Sequence, residues 1–320
     1  YMKMVKNVKM NSLEKLDELT NKMLQSFSLE DEKFQNICVY ACGSLGRLEM
    51  TQNSDLDLFF VSMTDGNDVL MQKNLNKYLF FSELYRVTSE MGFPEPSKQG
   101  EYWTFSSKDD LLDIGSRKED FNNSFTTRLL LILESKPLYN AKAYNQLVNE
   151  TVMKYFVDYE EHQEEFYPLF LMNDILRYWY TLTLNYEYRR DDRDDINKKN
   201  WKRLKLKYAR LITCFSMLAC LYRKDITPDY VIECVKKTPI ERLNTLGEEN
   251  EKIKVIVDDI IKEYKWFLSL RQSMENGLDE DKEWKNAFAR AEKFHNLVVH
   301  NLMGEISQEH PQLRNKTDVY

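Results

Sequence analysis

The sequence predicts an α+β protein in which a small α/β domain precedes an all-helical domain. Two short apolar runs near the start, residues 37–42 and 56–61, have the length and composition of buried strands. From residue 122 onward, apolar residues recur at helical spacing and no convincing strand pattern is found. Turn residues are scarce, with nine glycines and seven prolines in 320 residues, which argues against an all-β fold.

The predicted elements of the first domain follow one another in a simple order. A helix is expected over residues 13–27, where leucine, methionine and phenylalanine recur at helical spacing. The two strands come next, and a turn at 65–67 leads into a long helix that ends near Gly92. Residues 102–105 are expected to form a third strand, because they are aromatic and β-branched.

The character of the chain changes near residue 140, where the strand signals have ended. A length of 320 residues suits about two domains, so the predicted domains are 1–139 and 140–320. The segments with helical spacing are 122–135, 141–160, 166–190, 198–223, 228–237, 249–275 and 280–303. Lys136-Pro137, Thr238-Pro239 and Gly247 are read as breaks between them.

Composition and charge exclude several classes of protein. Hydrophobic residues at 42% and aromatic residues at 13% are enough for a packed core, so disorder is not expected. The net charge of −7 argues against a protein that coats nucleic acid, which needs a basic surface. No apolar stretch approaches the roughly 20 residues of a membrane-spanning helix, so no membrane partner is expected.

The expected location is the cytoplasm. The basic residues among positions 1–7 are not followed by an apolar run, so no secretory signal is expected. The five cysteines are odd in number and form no C-x-x-C pair, which is typical of buried thiols in a reducing compartment.

The residues with a chemical pattern lie between Gly43 and Asp57. Gly43-Ser44 follows the first strand where a helix is expected to start, and free backbone N–H groups at a helix start suit a phosphate. Asp55 and Asp57 are separated by one residue on the expected second strand, so both carboxylates lie on one face. Such a pair is a ligand set for Mg²⁺ bound to nucleotide phosphates.

This segment also resembles a known family. Gly-Ser-x-Gly-Arg-x-Glu-x-Thr-x-x-Ser-Asp-x-Asp, at residues 43–57, is similar to the signature of the polymerase-β-like nucleotidyltransferases. The resemblance is to the branch that holds the uridylyltransferase of the PII signalling protein, and a fainter likeness reaches residues 133–135. It implies a polymerase-β-like α/β domain in which Gly43 and Ser44 bind the phosphates while Asp55 and Asp57 hold Mg²⁺ or Mn²⁺.

Members of this family commonly use a third carboxylate on a later strand. Glu101 is the preferred candidate, because it opens the predicted third strand, and Asp113 is the alternative. A third reading leaves both residues as surface acids. Arg47 is assigned to the nucleotide phosphates, and an ion pair with Glu49 that fixes the loop is equally compatible with the sequence.

In the helical domain, Arg177, Lys207 and Arg210 flank the apolar faces of two long helices. One interpretation is an interhelical salt bridge, for instance between Asp174 and Lys207, because charges at the edge of a buried face need partners. The other interpretation places the three cations at the cleft between domains, where they would bind the triphosphate or the acceptor.

The function expected from these patterns is Mg²⁺-dependent nucleotidyl transfer. An NMP would move from an NTP to a protein or small-molecule acceptor, with release of pyrophosphate. A synthetase of nucleotide second messengers and a catalytically silent nucleotide-binding regulator are the alternatives. Neither nucleic acid nor a membrane is expected as a partner.

Overall fold

The computed structural model describes residues 2–31, 34–52, 54–64, 74–101, 103–115, 123–164, 166–188, 195–274 and 280–313. The chain separates into two compact units, Met2–Lys154 and Tyr155–Tyr320. The predicted α+β class is confirmed, since a small mixed sheet in the first unit is followed by a helical second unit. The division into domains 1–139 and 140–320 stays a prediction.

The first unit contains four strands and six helices among its described residues. The strands are β1 Ile37–Ala41, β2 Leu58–Ser62, β3 Phe105–Ser107 and β4 Lys136–Tyr139. The helices are α1 Met2–Ser26, α2 Gly43–Gly46, α3 Asn74–Glu90, α4 Lys108–Leu112, α5 Ser124–Glu134 and α6 Ala141–Lys154, and Ser97–Gly100 forms a 3₁₀ turn. The turn predicted at residues 65–67 lies outside the described residues.

The four strands form one sheet in the order β3-β2-β1-β4. β1 pairs antiparallel with β2 and with β4, while β2 and β3 are parallel. All five residues of β1 are buried, as its continuous apolar sequence requires. The central position of β1 places the residues that follow it, from Cys42 onward, at the middle of one end of the sheet.

Aromatic side chains pack between the sheet and the helices of the first unit. Phe27, at the end of α1, stacks on Phe80 of α3 with ring centroids 4.4 Å apart. Phe60 of β2 contacts Phe80 edge-on at 6.0 Å and Phe105 of β3 at 5.8 Å. Leu58 and Phe60 of β2 both face this core, as expected for side chains two residues apart on a strand.

β4 corrects the expectation that no strand follows residue 122. The Lys136-Pro137 pair was read as a break, but Pro137 lies in an edge strand opposite Tyr40. Proline is compatible with an edge strand, because the missing N–H can be on the side that makes no ladder bond. The pairing register shifts between Val39 and Tyr40 at this point.

Two other strands are shifted along the chain from their predicted positions. β2 begins at Leu58, so Asp55 and Asp57 precede the strand instead of lying on it. β3 begins at Phe105, three residues later than expected, and Glu101 lies in the turn that precedes it. Asp57 nevertheless remains close to the sheet, because Cys42 N–H donates to the Asp57 carbonyl at 2.9 Å.

The described residues of the second unit form helices and the turns that connect them, with no strand among them. Its helices are α7 Leu169–Tyr188, α8 Ile196–Lys205, α9 Leu211–Leu221, α10 Pro228–Lys236, α11 Pro239–Glu249, α12 Glu251–Met274, α13 Glu280–His295 and α14 Met303–Glu309. Two π-helical segments, Leu206–Arg210 and Asn296–Leu302, connect α8 to α9 and α13 to α14.

Helix α11 was not predicted, although its start carries a strong local signal. Thr238 and Glu241 form a capping box in which each side chain bonds the backbone N–H of the other residue. Pro239 occupies the first turn, where a missing N–H costs nothing, so the Thr-Pro pair starts a helix here instead of breaking one.

The predicted core faces of the two long helices are confirmed. Leu171, Ile175 and Tyr178 of α7 are buried, as are Leu204, Tyr208 and every residue of α9, while Leu182 and Trp201 are half-buried. All five cysteines are buried and none forms a disulfide, as expected. Among the described residues, no helix combines the length and apolarity needed to cross a bilayer.

Candidate nucleotide-binding site

The residues from Gly43 to Glu49 form a compact turn at the end of β1, called here the Gly43–Glu49 loop. Gly43 has a φ of +62°, a left-handed conformation that glycine adopts without strain. A Cβ atom on Gly43 would overlap Asp57 Oδ2 and would lie 3.2 Å from Asp57 Cγ. The Asp57 carboxylate therefore lies directly against the Gly43 backbone, and the two parts of the sequence motif meet at this point.

Ser44 offers unused hydrogen-bond donors at the start of α2. Among the contacts of the described residues, the N–H groups of Ser44 and Leu45 and the Ser44 hydroxyl have no acceptor. The Ser44 carbonyl accepts from Glu49 N–H at 2.7 Å, which closes the loop. Three donors on adjacent residues are an arrangement that can bind a phosphate group.

Arg47 is buried and is held by two carboxylates. Its Nε donates to Glu49 Oε2 at 2.9 Å, and its Nη1 is ion-paired with Glu134 Oε2. The side chains of Arg47, Glu49 and Glu134 are almost completely removed from solvent. This geometry supports the loop-fixing alternative for Arg47, and contact with nucleotide phosphate stays a prediction.

Glu134 is the important residue of this site that the sequence reasoning did not select. It lies at the end of α5, pairs with Arg47, and its Oε1 accepts from Gly43 N–H at 3.3 Å. A Cβ atom on Gly46 would overlap the Glu134 carbonyl oxygen, so loop and helix are in backbone contact. The faint family likeness at 133–135 was the available signal, but no local pattern connects it to residue 43.

Asp55 and Asp57 both precede β2, so their common face on that strand stays a prediction. Both side chains are exposed, whereas Leu56 between them packs against the core and Leu58 is part of it. Exposure therefore alternates from Asp55 into the first residues of β2, with the two aspartates at the more exposed positions.

Asp57 lines a cavity of about 370 Å³ in the first unit, called here the Asp57 cavity. Glu101 lines the same cavity, whereas Asp55 and Asp113 are not among its described lining residues. Asp113 follows α4 and is exposed. Of the two candidates for a third carboxylate, the geometry therefore favours Glu101.

The remaining walls of the Asp57 cavity come from β3, from the start of α5 and from aromatic rings. Thr104 and Ser106 belong to the β3 segment, while Asn123 and Thr126 stand at the start of α5. Phe59 and Trp103 complete the described walls together with Leu56, Leu58 and Thr127. The sequence reasoning identified none of these residues, because no spacing rule relates β3 to α5.

Tyr40, on β1, is a structural support for this part of the unit. Its hydroxyl donates to the Thr127 carbonyl at 3.2 Å, and its ring stacks on Phe59. Burial, followed by the neighbouring Cys42, raises the pKa of Tyr40 well above its ordinary value. The phenol is therefore neutral near pH 7 and serves as a hydrogen-bond donor.

The donor chemistry of the site fits a magnesium ion. Carboxylate oxygens are ligands for Mg²⁺, which is usually held by one or two carboxylates together with substrate phosphates. Within the described residues, no three acidic, histidine or cysteine side chains converge as a ready metal site. Asp55 and Asp57 would be the two carboxylates for such shared coordination, and their metal role stays a prediction.

The three cations predicted in the helical domain are in the second unit. Lys207 pairs with Glu292 at 3.1 Å, so the Asp174–Lys207 pair offered as an example was wrong. Asp174 is buried and instead accepts from the Tyr155 hydroxyl at 2.8 Å, with Arg177 at 3.6 Å. Arg210 closes a π-helical segment. A cleft role for these cations stays a prediction.

Comparison with known proteins gives a match over the N-terminal part of the chain. Residues 1–95 match the family model described as Putative nucleotidyltransferase DUF294, a range that includes the Gly43–Glu49 loop, Asp55 and Asp57. No curated protein and no solved structure matches the chain. This match to residues 1–95 agrees with the resemblance of residues 43–57 to the polymerase-β-like nucleotidyltransferases.

Proposed function

We propose that this protein is a Mg²⁺-dependent nucleotidyltransferase that moves an NMP from an NTP to an acceptor and releases pyrophosphate. The observation that carries the proposal is the contact between Gly43 and the Asp57 carboxylate. A phosphate bound by the Ser44 donors would lie beside the carboxylates, which is where nucleotidyl transfer requires charge neutralisation. The match to a nucleotidyltransferase family over this segment supports the same reaction class.

Each residue then has a role that its position supports. The Ser44 hydroxyl and the N–H groups of Ser44 and Leu45 bind phosphate oxygens of the NTP. Asp55 and Asp57 would hold Mg²⁺ or Mn²⁺, which when bound supplies charge neutralisation at the phosphates and polarises the reacting phosphorus. Glu101, which also lines the Asp57 cavity, is the further carboxylate assigned to accept a proton from the acceptor.

Arg47 and Glu134 contribute by holding the loop in place. Removing rotational freedom from the Gly43–Glu49 loop before the nucleotide arrives lowers the entropy cost of binding. The network fixes both ends of this loop, because Glu134 bonds Gly43 N–H while Glu49 pairs with Arg47. Arg47 is therefore assigned a positioning role, with direct phosphate contact as the alternative.

The proposal is tested by incubating the protein with each of the four NTPs, labelled at the α-phosphate, in the presence of Mg²⁺ or Mn²⁺. Label on an acceptor together with pyrophosphate release is the expected outcome. Ser44→Ala should weaken nucleotide binding by about threefold to tenfold, as expected for the loss of one hydrogen bond. Absence of NTP binding and of turnover in the wild-type protein would contradict the proposal.

A second candidate is a regulator that binds nucleotide without turnover. It is favoured by the lack, within the described residues, of three convergent acidic, histidine or cysteine side chains. The same assay separates the two functions, because a regulator binds NTP and Mg²⁺ but releases no pyrophosphate. Label in a new dinucleotide would instead identify a second-messenger synthetase.

A further inference from the structure

Part of the lining of the Asp57 cavity consists of hydrogen-bonding side chains that have no partner among the described residues. Among the contacts of the described residues, no hydrogen bond is made by the side chains of Thr104, Ser106, Asn123 or Thr126. Asn123 is the residue before α5 and has a φ of +52°, yet its side chain does not cap the helix. Four polar groups therefore face the cavity with their hydrogen-bonding capacity available to a ligand.

The cavity also contains aromatic surface. Phe59 and Trp103 line it, and Trp103 packs on the core by one side of its ring system. Hydroxyl and amide groups combined with aromatic rings suit a ligand that presents both C–H faces and several hydroxyl groups. A volume of about 370 Å³ is within the usual range for a small-molecule site and is small for a folded protein segment.

The charge of the cavity argues against an anionic ligand. Its described lining contains the carboxylates of Asp57 and Glu101 and no lysine or arginine. With Asp57 assigned to the metal ion, a phosphate or carboxylate group on the ligand would still approach the Glu101 carboxylate with like charge, which is unfavourable. A neutral ligand makes hydrogen bonds to the polar side chains of the lining without this repulsion.

The position of the cavity relates it to the acceptor and not to the triphosphate. Ser44 and Leu45, whose donors are assigned to phosphate, are not among its described lining residues, whereas Asp57 borders both the loop and the cavity. In-line displacement places the attacking oxygen and the leaving pyrophosphate on opposite sides of the reacting phosphorus. With pyrophosphate at the loop and phosphorus at Asp57, the attacking group comes from the cavity.

On the basis of the proposed function, we propose that the Asp57 cavity binds the acceptor, and that this acceptor is a neutral, polyhydroxylated small molecule such as a sugar or a cyclitol. One acceptor hydroxyl oxygen forms a bond to the α-phosphorus of the NTP. The bond from that phosphorus to the bridging oxygen breaks, and pyrophosphate leaves with the electron pair. The hydroxyl proton passes to the Glu101 carboxylate and then to water, which balances the reaction.

The experiment uses matched acceptors with the full-length protein, α-labelled NTPs and Mg²⁺. Glucose, galactose and myo-inositol are compared with glucose 6-phosphate, galactose 1-phosphate and inositol 1-phosphate, and casein serves as a protein acceptor. We expect a labelled small product from at least one neutral compound, and at least tenfold less from its phosphorylated partner. Label only on casein, label mainly on the phosphorylated compounds, or conversion of NTP to NMP without any labelled neutral compound would overturn the inference.

Variants of the cavity wall identify which substrate it binds. Ser106→Ala and Thr126→Val should each raise the KM for the neutral acceptor about fivefold, with a much smaller change in the KM for NTP. Thr183→Val on α7 is the matched control, since it removes a hydroxyl from a helix of the second unit. A rise in the KM for NTP alone would assign the cavity to the nucleoside and contradict the inference.

The failure of this inference can be distinguished from failure of the proposed function. If the protein turns over NTP with release of pyrophosphate but the acceptor results are negative, nucleotidyl transfer stands and only the acceptor class is wrong. If the protein neither binds nor turns over any NTP, the proposed function is wrong and the acceptor inference is wrong with it.

Discussion

The two units of the protein each contain an ion pair between residues almost equally far apart in the sequence, and the two pairs differ in burial. Arg47 and Glu134 are 87 residues apart, and Lys207 and Glu292 are 85 residues apart. The side chains of the first pair are 6% and 0% exposed, whereas those of the second are 26% and 65% exposed. Both pairs join a cation to a glutamate over a similar sequence separation. Burial should therefore decide how much each pair contributes to the free energy of unfolding.

This difference shows where the protein can tolerate change. A buried charge that loses its partner remains without hydration, whereas an exposed charge is solvated by water. The buried pair also connects the Gly43–Glu49 loop to α5, so its loss should affect both stability and nucleotide binding. The exposed pair connects a π-helical segment to α13, and its loss should affect neither strongly.

The largest effect is expected from Gly46→Ala, which tests whether loop and helix are as closely packed as the buried pair implies. A Cβ atom there would overlap the Glu134 carbonyl oxygen and lie 2.8 Å from the Ala41 carbonyl oxygen. Both obstacles are backbone, so we expect more than about 4 kcal/mol of destabilisation in thermal unfolding. Gly304→Ala is the matched control, because a Cβ atom at this position would meet no atom within 4 Å, and there stability should not fall. Equal melting temperatures for the two variants would contradict this packing.

The next largest effect is expected from Arg47→Gln. It leaves the buried carboxylates of Glu49 and Glu134 without their cation, at a cost of about 3–5 kcal/mol, which corresponds to a fall in melting temperature on the order of 10 °C. Glu134→Gln should cost less, because Arg47 keeps Glu49 and the amide oxygen can still accept from Gly43 N–H. The reverse order in calorimetry would show that Glu134, and not Arg47, is the centre of the network.

Removal of the Asp-x-Asp charges should affect activity without affecting stability. The double variant Asp55→Asn, Asp57→Asn should lower NTP turnover at least ~10²-fold, comparable to the loss of one electrostatic stabiliser of a transition state. Both side chains are exposed, so the melting temperature should change little. Asp57→Asn alone should be the more severe single change, because Asp57 contacts Gly43 and lines the cavity. Near-normal turnover of the double variant would remove these carboxylates from the site.

Changes to the three cations of the second unit should have small effects on the free energy of unfolding. Lys207→Gln should lower the free energy of unfolding by about 0–1 kcal/mol, as is usual for surface ion pairs. Arg177→Gln should lower the free energy of unfolding somewhat more, because the buried Asp174 loses this ion pair while it keeps the hydrogen bond from Tyr155. Turnover is the discriminating measurement: if Arg177→Gln, Lys207→Gln or Arg210→Gln lowers activity at constant melting temperature, the predicted cleft role gains support. Normal activity with lowered stability would make these residues structural.

The smallest effect concerns the pH dependence of the second unit. Burial, followed by the charge of Lys207, lowers the pKa of His295 below its ordinary value of 6.5, while Glu292 opposes this shift. The unfolded chain therefore binds a proton more readily, and stability should decrease as pH falls below about 6.5. In His295→Gln, the fall in melting temperature between pH 7.5 and pH 5.5 should be about 1–2 °C smaller than in the wild-type protein. The exposed His162→Gln serves as control, and identical slopes for all three proteins would contradict the prediction.

The helices were the easiest part of the fold to predict, and the sheet was the hardest. Apolar periodicity identified the buried faces of α7 and α9, because side-chain direction repeats along a helix whatever lies beyond it. β4 was missed, because Pro137 is acceptable only when the strand lies at the edge of a sheet. Whether a strand lies at the edge of a sheet depends on its pairing with distant segments. The neighbouring sequence alone therefore does not show whether Pro137 breaks the chain or lies in an edge strand.

Local sequence patterns were enough to predict the α+β class, the turn after β1 that begins at Gly43, and the alternation that leads into β2. These features depend on backbone conformation and alternation within about fifteen consecutive residues, and such local preferences do not require knowledge of the rest of the chain. The tertiary structure alone decided that Glu134 closes the Gly43–Glu49 loop and that Glu101 shares a cavity with Asp57. Burial of a charge and enclosure of a cavity both need atoms from segments that meet only when the sheet and α5 have packed together.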